Sequence, residues 1–122
     1  MIRVTLPYPH KLLWPNGRTR SHMAKAAQVK EHRRWGYIGA AEVTSPRRPS
    51  FAADLQIPVH ITVSRKRGGP FPDKDNVVAA AKSYLDGIAE RLGVNDRLFD
   101  TPTVEFIQPC TALFVIQIGA QS

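Results

Sequence analysis

Five aspartates, Asp73, Asp75, Asp86, Asp96 and Asp100, fall within 28 residues of an otherwise basic chain. Carboxylate oxygens are hard ligands suited to Mg²⁺ or Mn²⁺. Read as extended backbone, Pro72-Asp73-Lys74-Asp75-Asn76 projects Asp73 and Asp75 to the same side with Cα atoms ~6 to 7 Å apart, close enough to share one cation. Asp75, Lys82 and Asp86 are spaced near whole helical turns, so a helix opening at Asp75 aligns them on one stripe. A lysine in that stripe either neutralises the acids or contacts a phosphate. Asp96, in Gly93-Val94-Asn95-Asp96, joins the group only if the chain folds back toward the helix start. Each residue also has an ordinary structural role: Asp and Asn cap helices, Lys82 and Asp86 form an i,i+4 surface pair, and Asp96 suits a turn.

The rest of the charge lies elsewhere. The chain has 122 residues with 17 Lys and Arg against 10 Asp and Glu, a formal net charge of +7. Residues 1–70 hold 13 of the cations and three acids, whereas residues 71–122 hold four cations and seven acids. A protein that only coated phosphate would gain nothing from carboxylates, which repel the phosphates its basic half attracts. Carboxylates beside a basic surface make sense with a divalent cation between protein and phosphate. Arg18, Arg20, Lys25, Lys30, Arg33, Arg34 and the run Arg65-Lys66-Arg67 are the candidate backbone contacts, holding phosphates without reading bases.

The elements that must position these groups follow from pattern. Residues 2–6 alternate apolar and polar and end at Pro7, a short first strand. Residues 10–20 read as a loop. A helix runs from an N-cap at Ser21 to about Glu42, with Gly36 and Gly39 weakening its second half, and places Lys30, Arg33 and Arg34 on one face. Residues 44–50 form a proline-broken connection. Residues 55–63 alternate strictly and predict a strand that Pro58 assigns to an edge or a bulge. A basic Gly-rich loop spans 65–70. A second helix covers 77–92, with Asn76 as N-cap and Gly93 as its stop. Strands at 104–107 and 113–118 follow, the last apolar on both faces and therefore central. The order β-α-β-α-β-β predicts an α+β fold over residues 1–122 as one domain, a mixed sheet with helices packed on it. No apolar run approaches the ~20 residues of a membrane span and the N-terminus lacks an export signal, which points to a cytoplasmic protein with no membrane partner. Cys110, the only cysteine, has no internal disulfide partner, and the four histidines lack structural-zinc spacing.

The series Asp73-Lys74-Asp75-Asn76, Ala-Ala-Lys82, Leu85-Asp86-Gly87-Ile88 and Leu92-Gly93-Val94-Asn95-Asp96 resembles the RusA family of Holliday junction resolvases, in particular its phage-type branch. The similarity extends upstream through Leu6-Pro7-Tyr8-Pro9 and Pro15-Asn16-Gly17-Arg18, and so covers nearly the whole chain. The resemblance implies a homodimeric, Mg²⁺-dependent endonuclease of α+β fold, with Mn²⁺ substituting, that binds four-way DNA junctions and nicks two opposing strands symmetrically in recombination and repair in a bacterial cell. Carried over by position, Asp73, Asp75 and Asp96 match the metal-binding acids and Lys82 the essential lysine. No further protein partner is implied. Two other readings share these residues: a junction- or single-strand-binding protein without cleavage, and a metal-dependent RNA nuclease.

Overall fold

The structure, a computed structural model, describes residues 1–17, 21–45, 51 and 55–119. Four strands, β1 (Ile2–Pro7), β2 (Val59–Ser64), β3 (Thr103–Ile107) and β4 (Leu113–Ile118), form one mixed sheet in the order β1-β4-β2-β3. β4 runs antiparallel to both β1 and β2, and β2 and β3 are parallel. The fold is α+β, with one sheet and one core among the described residues.

Alternation decides which side of the sheet is buried. Ile2, Val4 and Leu6 of β1, Phe114, Ile116 and Ile118 of β4, and Val59, Ile61 and Val63 of β2 are all buried. They pack in one core with Ala40 of α1 (His22–Thr44) and with Tyr84, Ile88 and Leu92 of α3 (Lys82–Leu92). Arg3, His60, Thr62, Glu105, Val115 and Gln117 line the opposite, open side. Tyr84 is fully buried, but its hydroxyl donates to the Pro7 carbonyl at 2.7 Å, which satisfies the one polar atom it brings inside.

α1 begins where expected, with Ser21 Oγ accepting from the Ala24 amide at 3.1 Å. Gly36 is not a defect in this helix. A Cβ there would lie 2.4 Å from the Tyr84 carbonyl oxygen, and one on Gly87 would lie 1.9 Å from that of Arg33. The two glycines let α1 and α3 touch backbone to backbone.

Several expectations need correction. The strand predicted over 55–63 is β2, shorter and displaced to Val59–Ser64, and it is interior. Pro58 stands just before it, where a missing donor breaks no ladder, and Ile57 makes an isolated bridge to Phe99. The single helix predicted over 77–92 is two: α2 (Lys74–Ala80) and α3, which meet at Ala81 (ψ −6°). Hydrogen bonds from Ala81 to Val77 and from Leu85 to Ala81, both 3.0 Å, carry the helical run across the joint. The element order is therefore β-α-β-α-α-β-β. Asn76 is not the cap, because the helix starts two residues earlier with Asp73 in the N-cap position. Among the described residues, no helix is long and apolar enough to cross a membrane.

Candidate functional site

An early helix start changes the Asp73-Lys74-Asp75 geometry. Only an extended backbone brings residues i and i+2 to the same side, and Asp75 is already in the first turn of α2. The extended stretch therefore ends at Asp73, and Asp75 sits in the first helical turn. Asp73 has cap backbone angles (φ −62°, ψ 142°), yet its side chain makes no capping hydrogen bond. Its carboxylate is exposed and is not used to close the helix.

Asp96 does fold back. Gly93 ends α3 in the left-handed conformation (φ 68°), and Val94 donates to Ala89 while Gly93 donates to Glu90, closing the last turn. Asn95 Oδ1 then accepts from the Arg97 amide at 3.0 Å and opens a 3-10 turn, Asp96–Leu98. The return path is pinned to the sheet by Ile57, whose amide donates to Leu98 and whose carbonyl accepts from Asp100. As a result Lys82 Nζ donates to Asp86 Oδ1 at 2.8 Å and to Asp96 Oδ2 at 3.2 Å.

Lys82 is the centre of this group. Its ammonium is held in the charged form chiefly by the hydrogen bond to Asp86; desolvation opposes this, and the hydrogen bond to Asp96 and the charges of both acids add to it. Asp96 is held below the usual carboxylate range, first by the hydrogen bond from Lys82 and then by its charge. The side chains are 65%, 29% and 44% exposed for Lys82, Asp86 and Asp96, so water screens these pairs and they add little to stability. Lysine preceding aspartate at i,i+4 is also the weaker orientation for a helix-stabilising pair. The arrangement stores charge at an accessible point more than it holds the fold together.

Lys82, Asp86, Asp96 and Asp100 line one cleft of about 220 Å³, together with Thr101 and Phe99. Asp86 and Asp96 also line a second groove of about 420 Å³ whose far wall is Arg33 of α1. Arg33 reaches across to α3, its Nε and Nη2 both 3.1 Å from Glu90 Oε2. It also borders a shallow cleft shared with His22, Lys25 and Lys30. A basic stripe on α1 thus leads through Arg33 to the carboxylates.

The remaining candidate cations divide. Arg34 is exposed on α1. The Arg65 guanidinium is engaged within its own loop: it lies 4.0 Å from the Phe71 ring centroid and donates to the Gly69 carbonyl. Lys66 and Arg67 are exposed and line a cleft with Tyr8 and Pro72. Arg18 and Arg20 lie outside the described residues.

Among the described residues, no three His, Cys, Asp or Glu side chains gather as a ligand set. Two carboxylates, Asp86 and Asp96, do converge on a single cationic atom. Carboxylate oxygens are the donors a hard divalent ion takes; Asp75 lies roughly 16 Å before Asp86 along the helical run, with Asp73 just outside it. The sequence does not single out Asp86 and Asp100 as ligands, although the density of acids marks both.

No family model matches the chain. It is similar to a protein of Xylella fastidiosa (strain Temecula1 / ATCC 700964) described as "Uncharacterized protein", 34% identical over 102 residues, which is 81% of this chain and 63% of that protein. The chain spans less than two thirds of that relative's length.

Proposed function

We propose that the chain is a metal-dependent endodeoxyribonuclease of the RusA resolvase type that cuts four-way DNA junctions. The observation that carries this reading is the convergence of Lys82, Asp86 and Asp96 at the end of a basic stripe that runs down α1 to Arg33. A backbone phosphate following Lys25, Lys30 and Arg33 arrives beside the carboxylates. Asp73, Asp75 and Asp96 are the acids we assign to Mg²⁺, and Asp86, roughly 16 Å further along the helical run than Asp75, is left to hold Lys82. Bound there, the ion would polarise the phosphodiester and lower the pKa of a water.

The chain's own residues do the rest. Lys82 is charged and exposed, so its ammonium can turn from Asp96 to the phosphate and stabilise the extra negative charge of the transition state. Asp96, kept ionised beside it, accepts a hydrogen bond from water and orients it. Arg33, tied to Glu90, is held in place as a phosphate contact. A four-way junction has approximate two-fold symmetry, and paired cuts call for two such sites, hence a homodimer acting in the bacterial cytoplasm.

The test is a substrate panel of four-way junction, duplex, single-stranded DNA and RNA, each with Mg²⁺, with Mn²⁺ and with excess EDTA. Paired nicks in the junction with either metal are expected. Undiminished cutting in chelator refutes the metal assignment. RNA cut in preference to junction favours the RNA nuclease, and tight junction binding without cutting in any condition favours the binding protein.

A further inference from the structure

The cleft lined by Tyr8, Lys66 and Arg67, of about 580 Å³, lies between the end of β1, the 3-10 turn Lys11–Leu13 and the loop after β2. Its back wall is aromatic. Tyr8 stacks on Trp14 with ring centroids 5.1 Å apart at 21°, and both rings meet the edge or face of the buried Phe114. Its rim is cationic and amide-bearing, from Lys11, Lys66, Arg67 and Asn16. Tyr8 is half-buried and lines the cleft, and the exposed Lys66, with Nζ 5.7 Å over the Tyr8 ring, is the side chain that must swing aside for a base to reach it.

The walls are fixed before any ligand arrives. His10 caps the 3-10 turn, with Nδ1 accepting from the Leu12 amide, and its own amide donates to Nε2 of the buried His32 on α1. Gly17 closes the loop by donating to the Trp14 carbonyl, and any Cβ there would meet the Lys11 carbonyl oxygen at 2.1 Å. Trp14 Nε1 donates to the Pro9 carbonyl at 3.2 Å. The Tyr8 amide donates to Ala112 at 2.9 Å. A preformed aromatic wall facing cations loses little ordering entropy on binding.

We infer that this cleft is a subsite for one nucleotide of a nucleic-acid strand, its base lying against Tyr8 and its phosphate on Lys11 and Lys66. Each half of the cleft alone suits many ligands. An aromatic ring takes any flat apolar group, and a pair of lysines takes any anion. Together they select a flat ring joined to a phosphate, the stacking and charge combination by which single strands are held. The volume suits a small ligand of that size. Pro72 lines the cleft and Asp73 follows it, so a strand held here is guided toward the acidic segment. The inference rests on the reading that the chain handles nucleic acid, and it is independent of hydrolysis.

The experiment titrates the full chain, in EDTA so that nothing is cut, with a 5′-phosphorylated thymidine dinucleotide. The same backbone with abasic sites and inorganic phosphate are run beside it, and tryptophan emission is the readout. The dinucleotide is expected to bind on the order of tenfold more tightly than the abasic backbone. The emission change should disappear in Trp14→Phe and survive in Trp35→Phe. A Lys11→Ala, Lys66→Ala double variant, with both changes on exposed side chains, should weaken binding several-fold. Equal binding of dinucleotide, abasic backbone and phosphate marks plain anion attraction and overturns the subsite, as does a signal that survives in Trp14→Phe. A chain that binds the dinucleotide but cuts no junction loses the nuclease reading and keeps this one, and a chain that cuts junctions without telling base from abasic loses this one alone.

Discussion

Gly87→Ala tests whether the α1/α3 contact positions the candidate site. Two effects oppose each other. In an exposed helix interior, glycine to alanine gains about 1 kcal/mol from propensity. Here the new Cβ would lie 1.9 Å from the Arg33 carbonyl oxygen and 2.8 Å from the Tyr37 nitrogen. The first distance is about 1.5 Å short of ordinary contact. Both obstacles are backbone atoms of a helix, so no side-chain rotation relieves them, and α1 must move away from α3. Overpacking of this kind costs about 1–3 kcal/mol and occasionally more, and its upper range applies to a backbone clash. The net expectation is a destabilisation of about 2 kcal/mol, or a fall in Tm of roughly 8 °C for a chain of this size. The same displacement draws Arg33 away from Glu90 and from the groove it shares with Asp86 and Asp96, so junction cutting should fall even where the variant is fully folded. Thermal unfolding by circular dichroism and nicking of a synthetic four-way junction at low temperature read the two effects. Gly68→Ala, whose Cβ would have nothing within 4 Å, is the control and should change Tm little. A Gly87→Ala protein that melts higher than the parent, as propensity alone dictates, would refute the close-approach argument.

Asp86→Asn and Asp96→Asn should each lower junction cutting by about two orders of magnitude while keeping junction affinity in EDTA, since loss of a carboxylate lessens repulsion of phosphate. Asp73→Asn and Asp75→Asn should do the same if they serve the ion; unchanged nicking rates would remove them from the site. Lys66→Ala with Arg67→Ala should lower the slope of log affinity against log salt by about 0.9 for each duplex-arm phosphate that these cations neutralise; an unchanged slope means that the rim faces away from DNA. His32 is buried, and desolvation first of all pulls its pKa below the ordinary histidine value. Between the lowered folded value and the ordinary unfolded one, the unfolded chain binds the extra proton. Stability is therefore complete above the ordinary value and declines as pH falls below it. Urea midpoints across that range should show the decline in the parent and a weaker one in His32→Gln.

How much of this is legible in the sequence depends on what each signal measures. Strand periodicity reports burial of one face, which is why it locates 2–6 and 113–118 closely and why the central place of β4 follows from its apolar residues. Pro58 misleads because a missing donor restricts only a residue inside a ladder, and the strand starts one residue later. The segment from Asp73 to Asn76 announces a helix start but offers competing capping residues, and local preference does not choose between them. The choice matters, since starting at Lys74 leaves only Asp73 extended and puts Asp75 in the first helical turn. Gly36 reads as a weak point in α1 because propensity counts only the helix itself; its value lies in the carbonyl of Tyr84 on another helix, 48 residues away in sequence. The Lys82 to Asp96 contact spans 14 residues, and of its causes only Gly93 and Asn95 are local. The third, the pairing of Ile57 with the returning chain, is long-range. The features that look locally unfavourable therefore share one explanation. Glycines inside helices, a lysine on the wrong side of its aspartate and a cap residue that does not cap all lie on α1 or on the acidic helical run. Local preference is given up there where α1 closes on α3 and where Lys82 gathers two carboxylates.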